Sequence, residues 1–170
     1  MTAQLWFFII ISLVIFNYLF SNILDYINNR NWKDEIPNEL KDFYDKEKYK
    51  MAKNYALSKN KIGLFSSSIS FTLVISLLFF NGYGIIDQFA NSDLFKSFES
   101  LKINSSFIQS GVFFLILFIL NSFISIPFSY YNTFVIEEKF GFNKTTKSTF
   151  FIDIIKSTFL SLFIGGILLF

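Results

Sequence analysis

The spacing of the charges constrains this chain more than any other feature. No charged side chain precedes Asp25, none lies between Lys61 and Asp87, and none lies between Lys102 and Glu137. The charge-free runs therefore cover residues 1–24, 62–86 and 103–136. An α-helix of roughly 20 apolar residues crosses a hydrocarbon core about 30 Å thick, and each run exceeds that length. A soluble domain of 170 residues has room to bury one such helix, not three. The chain is an integral membrane protein. Its composition agrees: charged residues make up 16% of it, against about 25% in a globular average.

Composition also excludes several chemistries. There is no cysteine, hence no disulfide framework, thiolate metal site or cysteine nucleophile. There is no histidine, hence no imidazole zinc site, Ser-His-Asp triad or imidazole acid–base step from this chain. A net charge of +2 is too small to point to nucleic acid. The seven glycines are scattered and form no phosphate-binding loop.

These patterns predict an all-α fold, a polytopic transmembrane helical bundle with an amphipathic cytoplasmic helix between spans 1 and 2. The spans fall at about 5–24, 62–86, 107–128 and 149–170. The first lacks a basic flank and a small-residue cleavage site, so it is a retained anchor rather than a signal peptide. Trp6, Tyr26 and Trp32 suit interfacial positions. Between the first two spans, Ile36-Pro37-Asn38-Glu39 resembles a helix start, and Leu40, Phe43, Tyr44, Met51 and Tyr55 recur at helical spacing. Asp42 and Lys46 form an i,i+4 pair. In the second span Gly63, Ser66 and Ser70 make a small-residue face suited to helix packing, and Gly82 and Gly84 mark its exit. Pro127 is the natural place for the third span to kink or end. Asn121 and Ser122 lie mid-run, where a hydrogen bond to a neighbouring helix is the expected use. Asp153 and Lys156 can pair near the start of the fourth span. The chain is still apolar when it stops at Phe170, which suggests a truncation.

Basic residues set the orientation. The 25–61 loop carries nine and the 137–147 loop three, while the 87–105 loop carries two. This places loops 25–61 and 137–147 in the cytoplasm and the N-terminus outside, or in a lumen. The sequons at Asn143-Lys144-Thr145 and Asn104-Ser105-Ser106 then lie on opposite sides, and only the second could be glycosylated in a eukaryotic host.

One stretch is unlike generic membrane sequence. From Ile126 it runs Pro-Phe-Ser-Tyr-Tyr-Asn-Thr-Phe-Val-Ile, then Glu137-Glu138-Lys139, a Phe140-Gly141-Phe142 turn, Asn143, and the helix-capping cluster that contains Thr145 and Thr146. On physical grounds this is an ordered cytoplasmic re-entry in which Gly141 relieves a backbone constraint. It also resembles the membrane-domain signature of the CAAX prenyl proteases of the zinc-metalloprotease type, P-F-S-x-Y-x-T-F-V-I-E-E-x-x-G-F-N-x-T-T. A second block, Ile36-Pro37-Asn38-Glu39-Leu40, then Tyr44 to Tyr49, Tyr55 and Gly63, is similar to that family's segment ahead of its second span.

The resemblance implies a zinc endopeptidase with a helical membrane chamber, cleaving C-terminal to a prenylated cysteine or elsewhere in membrane-associated substrates. In that family zinc sits on H-E-x-x-H plus a downstream Glu, following a fifth membrane helix. This chain has no histidine, so it contributes no catalytic residue and no metal ligand, and zinc is expected only in the full-length enzyme. The expected partners are the lipid bilayer, the C-terminal catalytic zinc half and a peptide or lipidated-protein substrate. The matching residues Glu137, Glu138, Phe140, Gly141, Phe142, Asn143 and Thr145 become candidates for a chamber or catalytic-half contact. Adjacent carboxylates on a helix point about 100° apart, which argues against Glu137 and Glu138 as joint metal ligands. The alternative from another class is a stand-alone helical membrane protein acting as a scaffold or transport subunit.

Overall fold

The computed structural model describes residues 2–33, 35–36, 45–96 and 104–169. All regular structure among them is helical: α1 Ala3–Arg30, α2 Lys46–Phe79, α3 Gly82–Ala90, α4 Asp93–Lys96, α5 Ser105–Tyr131 with a π-helical continuation Asn132–Glu137, and α6 Lys147–Leu169. Four helical stretches, Gln4–Arg30, Lys46–Phe79, Ser105–Glu137 and Lys147–Leu169, are long and apolar enough to cross a membrane. Their large side chains stay exposed, with Phe123 at 78% and Leu168 at 81%. Soluble proteins rarely present continuous apolar surface on this scale, whereas hydrocarbon solvates it.

The proposed helix start at Ile36-Pro37-Asn38-Glu39, the apolar positions Leu40, Phe43 and Tyr44, the Asp42–Lys46 pair and Lys102 lie outside the described residues, apart from Ile36 and Lys46. Helix α2 begins at Lys46 and runs through the charged segment into the second charge-free run without a break. Asp45 caps it: Lys48 N–H donates to Asp45 Oδ1 at 2.7 Å. That bond holds the Asp45 carboxyl below the usual carboxylate range. The buried residue of this segment is Tyr49, packed on Trp32 with ring centroids 5.6 Å apart, while Met51 is exposed.

The chain divides into two compact units, Met1–Ile75 with Pro127–Asn143, and Ser76–Ile126 with Lys144–Phe170. In the first unit, α1 packs on α2. The Tyr18 hydroxyl and Ser68 Oγ share a hydrogen bond of 2.8 Å, and the Tyr18 ring stacks on Phe71 at 4.1 Å. The Asn60 amide donates to Asn29 Oδ1. Such bonds join helices where water is scarce and the hydrophobic drive between helices is weak. Gly63 is not a point of close approach, since an added Cβ would meet nothing within 4 Å. Gly63 and Ser70 line an open cleft facing polar residues of α1, including Asn17, Ser21 and Asp25.

In the second unit α2 ends in a turn at Phe80-Asn81, where Asn81 takes the left-handed conformation at φ 54°. Here glycine is required by space. A Cβ on Gly82 would lie 2.5 Å from Leu77 Cδ2 and 3.0 Å from Leu77 Cα. Ile86 and Ala90 of α3 are buried, and Gln109 donates to Asp87 Oδ1 at 3.0 Å. Ser122 Oγ donates to Phe118 O of its own helix rather than to a neighbour. Thr146 caps α6 through a bond from Thr149 N–H to its Oγ1 at 3.1 Å.

Candidate functional site

The sequence makes Pro127 the natural place for the third span to kink or end; the structure keeps it inside helix α5, which continues to Tyr131 and then widens into a π-helical turn at Asn132–Glu137. A membrane helix tolerates the N–H that proline removes, because neighbouring groups can satisfy the freed carbonyl. The apolar run through Phe134, Val135 and Ile136 favours continuing. The π turn has a local consequence. Residues five apart lie on different faces of an α-helix, but the wider turn rotates them toward one face. Asn132 Nδ2 accordingly donates to Glu137 Oε1 at 3.2 Å.

Glu137 is the hub of this region. Its carboxylate also receives Lys59 Nζ of α2 at 3.3 Å. Its backbone oxygen accepts Phe142 N–H at 2.8 Å and Asn143 N–H at 3.2 Å. With Gly141 N–H donating to Glu138 O at 3.1 Å, this is a Schellman helix ending. That motif needs a left-handed residue after the cap, and Gly141 supplies it at φ 74°. The turn is pinned from outside by one aromatic ring. Tyr55 meets Phe140 at 5.4 Å and Phe142 at 4.9 Å, both edge to face. Tyr55 and Lys59 are four apart on α2, so one helical face provides both the ring and the cation, and Lys59 Nζ lies 5.4 Å from the Tyr55 ring centre.

The two adjacent glutamates have different environments. Glu137 is largely covered, with side-chain exposure of 26%. Glu138 is exposed and accepts Asn143 Nδ2 at 2.6 Å. Six of the seven candidate residues, Glu137, Glu138, Phe140, Gly141, Phe142 and Asn143, thus form one hydrogen-bonded and ring-packed ending within the first unit. Thr145 belongs to the second unit and is half-buried. The sequence alone did not mark Asn132 or Lys59. Asn132 was visible only as a polar residue inside an apolar run, and Lys59 as one of nine basic residues in its segment.

No group of three or more His, Cys, Asp or Glu able to hold a metal ion occurs among the described residues. Glu137 is committed to Lys59 and Asn132. These residues do not fit a catalytic metal. What the arrangement can do is hold a rigid helix ending at the edge of the membrane segment.

Comparison with known proteins places this arrangement in a family. Residues 25–170 match the model described as CAAX prenyl protease N-terminal, five membrane helices. The chain is 37% identical over 144 residues to a probable CAAX prenyl protease 1 of Schizosaccharomyces pombe, covering 81% of this chain and 29% of that protein. It is 30% identical over 168 residues to CAAX prenyl protease 1 of Saccharomyces cerevisiae, covering 97% and 37%. To a CAAX prenyl protease 1 homolog of Homo sapiens it is 32% identical over 141 residues, covering 82% and 29%. The crystal structure of S. mikatae Ste24p matches with a TM-score of 0.81 at 29% identity, over 95% of this chain and 37% of that one. The chain spans about a third of the length of these relatives. Family model and apolar helices agree that it is a multi-pass integral membrane protein.

Proposed function

Because the chain belongs to the CAAX prenyl protease N-terminal family of membrane domains, we propose that it builds part of the chamber wall of a zinc endopeptidase whose metal lies on residues outside these 170. Its substrates would be prenylated or other membrane-associated proteins. Glu137, Glu138, Phe140, Gly141, Phe142, Asn143 and Thr145 would make the contact with the catalytic half, on the cytoplasmic side, with the N-terminus outside or in a lumen. The observation that carries this reading is the double fastening of the helix ending. Lys59 and Asn132 hold the Glu137 carboxylate while Tyr55 clamps both phenylalanines of the turn. A solvated loop has no need of such fixation, whereas a surface that must register against another part of an enzyme does.

The family membership favours this reading over a stand-alone scaffold or transport subunit. The test is complementation. The chain is co-expressed with the C-terminal part of the Saccharomyces cerevisiae relative, and zinc-dependent cleavage of a farnesylated peptide is measured. Activity is expected from the pair and from neither piece alone. Zinc-dependent cleavage by the purified 170-residue chain would overturn the proposal.

A further inference from the structure

Beyond any part in proteolysis, we propose that the first unit carries a binding site for an anionic phospholipid, in a cleft between α2 and the end of α5. The cleft has a volume of about 570 Å³, within the roughly 300–1,000 Å³ of small-molecule sites. Lys61 and Lys139 both line it, and none of its lining residues is acidic.

Where these lysines sit in the sequence identifies the occupant. Lys61 is the last charge before the run 62–86, and Lys139 follows within three residues of the run 103–136. The contacts between the two helices show that they run antiparallel here: Lys59 meets Glu137, and Phe65 meets Phe128. Both lysines therefore stand at the same edge of the hydrocarbon layer. Beyond them the cleft is lined along α2 from Lys61 to Ser68, about 10 Å at the helical rise. Its walls there include Leu64, Phe65 and Val135, all exposed.

The lysines are also available. The nearby carboxylates are engaged elsewhere, Glu137 with Lys59 and Glu138 with Asn143. Among the described residues Lys61 has no carboxylate partner, and Lys139 has only the Phe140 ring, 5.6 Å from its Nζ. Two cations at a membrane edge above an apolar slot match a ligand with an anionic head and an acyl tail. An acidic soluble peptide would satisfy the lysines but would not enter the slot, whose walls lie in the charge-free segments.

The chain, in non-ionic detergent with an equimolar mixture of dioleoyl phosphatidylglycerol and dioleoyl phosphatidylcholine, is examined by native mass spectrometry. Wild type is expected to retain phosphatidylglycerol preferentially. Each neutralised lysine should cost about fivefold, so Lys61→Gln with Lys139→Gln should lower the preference roughly 25-fold. Lys144→Gln should leave it unchanged. Val135→Trp keeps both lysines but fills the slot, and should also expel the lipid. Any of four outcomes overturns the proposal: equal retention of the two lipids by wild type, a preference that survives in the double variant, retention unaltered by Val135→Trp, or a second copy of the chain bound in place of lipid.

Discussion

Lys59 Nζ lies 3.3 Å from Glu137 Oε1, and this one contact ties together helices whose residues are 78 apart in sequence. An exposed pair of this kind contributes little, because water screens it and ordering two long side chains costs entropy. This pair differs in that Glu137 is mostly covered and takes a second hydrogen bond from Asn132. Replacing Glu137 by Ala removes both bonds, but Lys59 is 39% exposed and can turn to water, so the expected loss is about 1 kcal/mol. A double-mutant cycle of Lys59→Met and Glu137→Gln should give a coupling of about 1 kcal/mol. Thermal unfolding in detergent reads both. Additive effects would show that the contact carries no energy.

Gly141 separates backbone strain from crowding. Its φ of 74° suits glycine, yet a Cβ there would meet nothing within 4 Å. Gly141→Ala should therefore cost about 1–2 kcal/mol, the penalty of the left-handed conformation alone. Gly141→Asn should cost less, because asparagine tolerates that region. Gly165→Ala, at an open helical position, should be neutral or slightly stabilising. Gly82→Ala should be the most damaging of the four, since Leu77 backbone as well as side chain stands in the way. Melting temperatures in one detergent give the ranking.

How much of this was legible in the sequence depended on which physical signal each residue carried. Gaps between charges need no partner to be read, and they located the apolar helices. Gly141 and the capping threonines declare local backbone geometry, so the helix ending and the start of α6 were foreseeable. The family pattern around Glu137-Glu138 was legible as well. The register between α2 and α5 was not. Lys59 resembles its eight basic neighbours, and its pairing with Glu137 exists only once the helices cross. The π turn is also a product of packing, because Asn132-Thr-Phe-Val-Ile-Glu137 has no composition that distinguishes it from an α-helical turn. Tyr49, buried against Trp32, was left out of the apolar positions at helical spacing, which passed through the exposed Met51 instead.

Asp45 gives the start of α2 a pH dependence of predictable sign. Its folded pKa lies below the ordinary carboxylate value, chiefly because Lys48 N–H donates to the ionised oxygen. A depressed carboxyl contributes stability that is present above the unfolded pKa of about 3.9 and is lost as pH falls through the lower folded value. Fraying of the first turn at Lys46–Lys50 should therefore increase on acidification below about pH 4. Asp45→Asn retains a side-chain acceptor that does not titrate, so its profile should be flat. Hydrogen exchange at the Lys48 amide between pH 5 and pH 2, corrected for intrinsic rates, measures it. Parallel profiles for wild type and Asp45→Asn would remove the cap from the account.

The absence of native cysteine makes the orientation directly testable, since any introduced thiol is unique in the chain. Twelve basic residues in the 25–61 and 137–147 loops against two in 87–105 favour cytoplasmic placement of the first pair. Lys144 and Asn104 are both exposed, so a thiol at either position is within reach of a reagent, and Asn104→Cys gives up only the cap that Asn104 Oδ1 makes with Ser106 N–H. The charge bias predicts that Asn104→Cys reacts with a membrane-impermeant maleimide applied to intact cells, whereas Lys144→Cys reacts only after permeabilisation. The lysines at the membrane edge, Lys61 and Lys139, would then face the cytoplasmic leaflet, where anionic lipids concentrate and a polybasic edge gains most. Labelling of Lys144→Cys from outside would invert the whole assignment. The Glu137 helix ending would then face away from any cytoplasmic catalytic half.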